Sequence, residues 1–205
     1  MFMEIIEHKI HRANITVVFD SVDCDFIRRN IIRTAFSDKG EVIITDFPEG
    51  VIVIFPGGDA NYQGNRLAIN TDDLHSNEIE LLSKATIVMQ TAIEESNVVA
   101  YGFNFEGDCL CTPKFNVNQY LIDKGYIDCN RIGNRIKAEI IRLSFRIGFY
   151  KYGAKFAILI DPAEEPNRFI FQCNIHFDSE LPEQAELKDG LEKYSGYLIE
   201  IMEML

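Results

Sequence analysis

The sequence lacks the apolar segments that would place the chain in a membrane or mark it for export. No run approaches the ~18 apolar residues that a membrane-crossing helix needs. The first ten residues include Glu4, Glu7 and His8, so they lack the continuous apolar core of a signal peptide. We therefore expect a cytoplasmic protein that has no membrane partner.

Cysteine is scarce, and its pattern favours free thiols. The five cysteines are odd in number and follow no disulfide framework, which is typical of reduced thiols in a reducing compartment. Cys173 and His176 have a spacing found in zinc sites, but residues three apart in a strand point to opposite sides. Cys109 and Cys111 would point the same way in a strand, yet no second pair accompanies them. We predict no metal site and no cofactor.

Catalytic signatures are also missing. Gly57 and Gly58 would suit a phosphate-binding turn only if they led directly into a helix N-terminus with a lysine nearby. They lie instead between predicted strands and are followed by Asp59, so we expect residues 56–65 to form a surface loop. No nucleophile elbow is present, although a nucleophilic site assembled from distant residues stays open. The sequence therefore assigns no activity.

The overall charge and the length limit the class of protein. The formal net charge of −12 opposes general binding to the phosphate backbone of nucleic acids, so we expect no nucleic-acid partner. A length of 205 residues allows one large domain or two small ones. The hydrophobic content of 47% and the charged content of 25% are typical of a globular protein.

The second half of the chain has the clearest structural pattern. Residues 137–178 contain three runs separated by turn-forming residues. The first and third runs alternate between apolar and polar residues, and the middle run, 155–160, is apolar on both sides. This pattern predicts an antiparallel meander with one apolar and one polar side. Apolar residues recur every three or four positions in 78–95 and in 182–205, which predicts two long amphipathic helices. The predicted fold class is α+β, with a mainly antiparallel sheet on which these helices pack.

The first half adds further elements. Its patterns predict a strand over 3–20, a helix over 26–36, a hairpin over 41–55 and a strand over 97–106. A change of composition at 107–113 suggests a division into an N-terminal α+β half (1–110) and a C-terminal half of meander plus helix (114–205). One continuous domain and a diverged duplication both remain alternatives.

Charge is segregated within the second half. Residues 131–155 hold seven basic residues and one acidic residue, whereas residues 178–205 hold eight acidic residues and two lysines. The polar side of the meander would carry basic and amide side chains that suit a small anion or an acidic protein partner. The candidate ligand-binding residues are Arg142, Arg146, Arg168, Asn174 and His176, with Ser144 and Gln172 on the same face. The alternative is a solvated face whose charges pair locally.

These features favour binding or assembly without catalysis. Long strands with exposed edges and the regular last helix favour self-association, so we expect a homo-oligomer. The alternative is an enzyme or a binding protein that acts on a small anionic ligand at the polar face of the C-terminal sheet. Such an enzyme would use Arg142, Arg146 and His176. Nucleic-acid binding is the least favoured class, because aromatic residues do not interleave with the basic ones.

One short segment carries a family resemblance. Residues 98–105 read Val-Val-Ala-Tyr-Gly-Phe-Asn-Phe; they follow a predicted helix and precede the basic meander and the closing helix. This order resembles a group of uncharacterised bacterial proteins of sporadic distribution, in which a helix precedes a strand of this type. The resemblance implies a bacterial cytosolic α+β protein and assigns no functional residue.

Overall fold

Nine strands form one antiparallel sheet. The computed structural model describes residues 4–38, 40–48, 50–93, 96–124, 135 and 142–204. The strands in this part of the chain are β1 (Ile5–Phe19), β2 (Ile43–Phe47), β3 (Gly50–Phe55), β4 (Gly58–Gln63), β5 (Arg66–Asp72), β6 (Val98–Cys111), β7 (Phe145–Lys151), β8 (Ala154–Pro162) and β9 (Arg168–Phe177). Their order across the sheet is β2-β3-β4-β5-β1-β6-β9-β8-β7. The predicted α+β class and antiparallel sheet are confirmed.

The described helices pack on one face of this sheet. They are α1 (Arg29–Phe36), α2 (Ser76–Thr91), α3 (Val117–Lys124) and α4 (Gln184–Glu203). Helix α2 contacts β5 and β1, α4 contacts β6, and the two helices contact each other above the sheet. We call this side the covered face. No described helix lies on the other side, which we call the open face.

Alternation along the strands fills the core. In β1, Ala13, Ile15 and Val17 are fully buried, while the residues between them are only partly buried. The remaining central strands behave in the same way, because successive side chains of a strand point to opposite faces. The covered face is rich in aromatic rings, and its largest fully buried side chains include Phe103, Phe105, Phe156, Phe169 and Phe171.

Strands β1 and β6 join the two halves of the chain into one sheet. Their register shifts between Ile10 and Arg12, at a bulge opposite Gly107. A Cβ atom on Gly107 would lie 2.1 Å from the carbonyl oxygen of Lys9 and 2.5 Å from the ring of Phe171. Glycine is required here because the neighbouring backbone approaches too closely for any side chain.

A similar order of elements recurs on the two sides of the β1–β6 pair. The first half runs from β1 through α1 to the meander β2–β5 and then α2. The second half runs from β6 through α3 to the meander β7–β9 and then α4. In both halves the last strand of the meander pairs with the first strand of that half. The division of the chain into domains stays a prediction.

The expected surface loop over 56–65 is wrong. This stretch contains β4, which pairs with both β3 and β5. Ala60 and Tyr62 are fully buried on the covered face, and the Tyr62 hydroxyl donates a 2.8 Å hydrogen bond to the Met89 carbonyl oxygen. The polar residues that resemble loop residues in the sequence, Asp59 and Asn61, alternate with them. They occupy the open face, so tertiary pairing overrides their low strand propensity.

Other element boundaries differ more modestly. The predicted helix over 26–36 begins only at Arg29, because residues 24–26 form a 3-10 turn and the Arg28 amide donates a 2.9 Å bond to the Ala92 carbonyl oxygen. Strand β6 extends beyond the expected end to Cys111. The first run of the meander starts as strand at Phe145, and residues 137–141 lie outside the described residues.

Candidate functional site

A row of amide side chains crosses the centre of the open face. Strand register places Asn70, Asn14, Asn104 and Asn174 directly opposite one another on β5, β1, β6 and β9. Each side-chain amide donates to the oxygen of the next: Asn174 to Asn104 at 2.5 Å, Asn104 to Asn14 at 2.8 Å, and Asn14 to Asn70 at 2.8 Å. Asn70 completes the row by donating to Asp59 on β4 at 2.7 Å. We call these five residues the amide row.

The carboxylate of Asp59 gives the amide row its direction. An ionised carboxylate only accepts hydrogen bonds, so Asn70 must turn its NH2 group toward it, and every following amide is oriented in turn. Thr16 strengthens the centre by donating a 2.7 Å bond to the Asn14 side-chain oxygen. At the opposite end, the side-chain oxygen of Asn174 has no hydrogen-bond donor among the described residues. The row therefore ends in a free acceptor.

The open face is depressed where the amide row stops. Register continues from Asn174 to Ala157 on β8 and then to Gly148 on β7. These two residues have almost no side chain, so the surface falls away beside Asn174. The resulting open depression has a volume of about 300 Å³. Its lining residues are Asn104, Phe105, Glu106, Arg146, Ala157, Leu159, Gln172, Cys173 and Asn174.

The neighbouring row supplies the charged groups of the depression. Register aligns Glu106 on β6, Gln172 on β9, Leu159 on β8 and Arg146 on β7. All four side chains are exposed. Phe105 and Cys173, by contrast, are buried toward the covered face. The depression thus presents a guanidinium, a carboxylate and amides around a small apolar floor.

Arg142 lies on the open face but has a partner. Its guanidinium donates to Asp161 from Nε at 3.0 Å and from Nη2 at 2.5 Å, and the Ser144 hydroxyl donates to the same carboxylate. Burial raises the pKa of Asp161, but the hydrogen bonds from Arg142 and Ser144 outweigh it and hold the pKa below its ordinary value of 3.8. Arg142 is therefore a structural contact of the β7–β8 region and does not line the depression.

Two further predicted residues are also paired on the open face. Arg168 donates to Asp108 at 2.7 Å and lies 3.5 Å from the Glu165 carboxylate. The ring nitrogen of His176 lies 2.8 Å from Asp178. Local pairing, the alternative stated for this face, thus accounts for both side chains.

Arg146 and Asn174 are the predicted residues that line the depression. Arg146 makes no hydrogen bond or ion pair within the part of the chain that the structure describes. The sequence interpretation missed Asn104 and Glu106, which the structure brings beside them from β6. Both residues alternate with phenylalanines in the sequence, which indicates that they point to the polar side of a strand. The pairing of β6 with β9, however, could not be predicted from one strand alone.

Groups suited to metal or nucleophile chemistry were sought throughout the described residues. No cluster of three His, Cys, Asp or Glu side chains suited to a metal occurs among the described residues. Burial raises the pKa of the Cys109 and Cys173 thiols to about 12, and that of Cys111 to about 11. These thiols stay protonated near neutral pH and are poor nucleophiles.

The fold and the site define a protein with a nine-stranded antiparallel sheet and an open, amide-rich face. No protein-family model and no curated protein matches the chain. The resemblance to sporadically distributed bacterial proteins stays a prediction. Within the described residues, none of the helices has both the length and the apolar character needed to cross a membrane.

Proposed function

We propose that this protein is a non-enzymatic binding protein that holds a small carboxylate ligand in the depression beside the amide row. The observation that carries this proposal is the Arg146 guanidinium. It is exposed, lines the depression and has no partner among the described residues. A guanidinium presents paired N–H donors whose geometry matches a carboxylate.

The surrounding groups suit binding better than catalysis. Gln172 supplies an amide that can turn either its NH2 group or its oxygen toward a ligand, and Asn174 offers its free side-chain oxygen as an acceptor. The enzymatic alternative combined Arg142, Arg146 and His176. However, Arg142 is paired with Asp161 and His176 with Asp178, both outside the depression. Of that combination, only Arg146 is available for a ligand. A cytoplasmic location is part of this proposal.

Titration of the isotopically labelled protein with butyrate tests the proposal. We expect amide shifts near Arg146 and Gln172 in the nuclear magnetic resonance spectrum, with saturable, weak binding that salt reduces. Arg146→Gln should abolish these shifts, because the amide cannot replace the charged fork. It should change the free energy of unfolding by less than about 0.5 kcal/mol, as expected for an exposed residue without a partner.

Arg33→Gln is the matched control for this experiment. Arg33 is an exposed arginine of α1 with no ion pair among the described residues, and it lies on the other side of the sheet. The same substitution there should leave butyrate binding unchanged. Equal binding by the Arg146→Gln variant and the parent protein would reject the depression as the carboxylate site.

Self-association is a second candidate function, supported by an apolar patch at the β2 edge. Ile43 and Ile54 face each other across β2 and β3, and both are 49% exposed; Ile52 is 38% exposed. Among the described strands, β2 pairs only with β3, so its outer edge is available to another copy. Clustered aliphatic side chains beside an open strand edge favour such a contact.

Light scattering over a range of protein concentrations tests self-association. We expect Ile54→Lys to shift the protein toward the monomer, because a charge would be buried in the contact. Ile170→Lys, at a 43% exposed residue of β9 in the other half, should leave the mass unchanged. A parent protein that stays monomeric at the highest concentration would exclude this candidate.

A further inference from the structure

We infer that the ligand of the depression is a zwitterion, with a carboxylate and an amine separated by a short aliphatic chain. The inference rests on the proposed function, since it takes Arg146 as the carboxylate site. It adds a second recognition element, the carboxylate of Glu106, at the other end of the same depression. The ligand would lie across the strands, along the row from β7 to β6.

The order of residues in this row follows the chemistry of such a ligand. From β7 to β6 the row reads guanidinium, isobutyl, amide and carboxylate, contributed by Arg146, Leu159, Gln172 and Glu106. A carboxylate at Arg146 and an ammonium at Glu106 would place the methylene groups between them over Leu159. The methyl group of Ala157 lines the same depression. Apolar contact in the middle therefore matches the apolar part of the ligand.

The spacing leaves room for the ligand. Three strand intervals separate Arg146 from Glu106, so their backbones lie about 14 Å apart at the usual distance of about 4.8 Å between neighbouring strands. No ion pair joins the two charged groups, and both residues line the depression without a partner among the described residues. A molecule with two opposite charges satisfies both ends at once, whereas a simple anion satisfies only one.

Arg12 is the competing charge at the Glu106 end. Arg12 is on β1, where it lies opposite Glu106 of β6 and opposite Asp72 of β5. Among the described residues, Arg12 forms no ion pair with either carboxylate. Removal of the Arg12 charge would make the electrostatic potential near Glu106 more negative, and this should favour an ammonium group there. Arg12→Gln is therefore a diagnostic variant that acts in the opposite direction to Glu106→Gln.

The experiment compares matched pairs of ligands on the intact chain. Titrations with 4-aminobutyrate and 6-aminohexanoate are set against butyrate and hexanoate, with binding followed by amide shifts. We expect the better zwitterion to bind about fivefold more tightly than its matching carboxylate, the effect of one additional exposed ion pair. Glu106→Gln should remove this advantage without weakening carboxylate binding, and Arg12→Gln should preserve or increase it.

The outcomes separate this inference from the proposed function. If carboxylates bind through Arg146 but the zwitterions gain nothing, the function stands and the inference fails. If the zwitterion advantage persists in Glu106→Gln, the assignment of the amine to Glu106 is overturned. If no ligand binds the parent protein, both proposals fall. Unfolding curves for each variant exclude loss of fold as a cause, since the substituted side chains are exposed.

Discussion

The covered and open faces of the sheet come from the same strands but differ in chemistry. On β6 and β9 the covered face carries stacked and edge-to-face rings, such as Tyr101 against Phe177 and Phe103 against Phe177. The open face of the same two strands carries Asn104, Glu106 and Gln172, among other polar residues. The covered face therefore buries apolar surface that stabilises the fold, and the open face holds polar groups in fixed positions.

This difference indicates where selection for binding can act with the least cost in stability. Side chains of the covered face are packed against helices, so a substitution there disturbs many neighbours. The exposed side chains of the depression without a structural hydrogen bond, such as Arg146 and Gln172, can change with little effect on folding. Substitutions on the covered face should therefore act mainly through stability, and substitutions of these exposed side chains mainly through binding.

The largest expected effect is on the covered face. Phe105 is fully buried at the centre of β6, and Phe105→Ala should lower the free energy of unfolding by about 3–5 kcal/mol because it leaves a cavity in the core. Urea denaturation measures this loss. Leu159→Ala on the open face, at a residue that is 36% exposed, should cost less than about 1 kcal/mol. Similar losses for the two variants would refute the contrast.

An intermediate effect is expected within the amide row. Asn104 accepts from Asn174 and donates to Asn14, so Asn104→Ala leaves both neighbours without this partner, and Asn14 is part-buried. We expect a loss of about 1–2 kcal/mol in the free energy of unfolding. Gln172→Ala, at an exposed residue beside the row, should change it by less than about 0.5 kcal/mol. An Asn104 variant as stable as the Gln172 variant would mean that the row contributes nothing to folding.

The smallest expected effect concerns the ion pair between Arg142 and Asp161. Arg142→Gln should cost at most about 1 kcal/mol at neutral pH, because both side chains are partly exposed to solvent. Folding lowers the pKa of Asp161 from 3.8. The contact therefore stabilises the fold above that pH, and its contribution is lost as the pH falls through the lower, folded-state pKa.

Urea denaturation at a series of pH values tests this dependence. The difference in stability between Arg142→Gln and the parent protein should shrink as Asp161 is protonated, below about pH 3.8. Arg33→Gln serves as the control, since its difference from the parent should not follow the protonation of Asp161. A difference for Arg142→Gln that stays constant with pH would contradict the assigned pair.

The meander could be predicted from the sequence because its information is local. Alternation identifies β9 and a short apolar run identifies β8, and short turns make neighbours in the chain neighbours in the sheet. The prediction that Arg146 and Asn174 share a face follows from the alternation in their two strands together with the assumption that sheet order follows chain order. Strand β4 escaped prediction because its open-face residues, Asp59 and Asn61, are typical of turns. Only pairing with β3 and β5 makes them part of a strand.

The amide row could not be predicted, because its members come from distant parts of the chain. Asn14 and Asn104 are 90 residues apart in sequence. Each occupies a polar position of a strand, but the complete amide row depends on the order and register of five strands. A shift of one residue in the pairing of any of these strands would send its side chain to the other face. Single-sequence periodicity carries no information on that pairing.

The central position of β1 also has a consequence for how the chain reaches its folded state. Its second neighbour, β6, ends only at Cys111, so during synthesis one long side of β1 stays without a partner until that residue has emerged. Contacts of such high sequence separation slow folding, and an unpaired strand side invites association between nascent chains. Correct folding of the first third of the chain should therefore depend on chaperones, or on a low protein concentration, more than folding of the meander β7–β9 does.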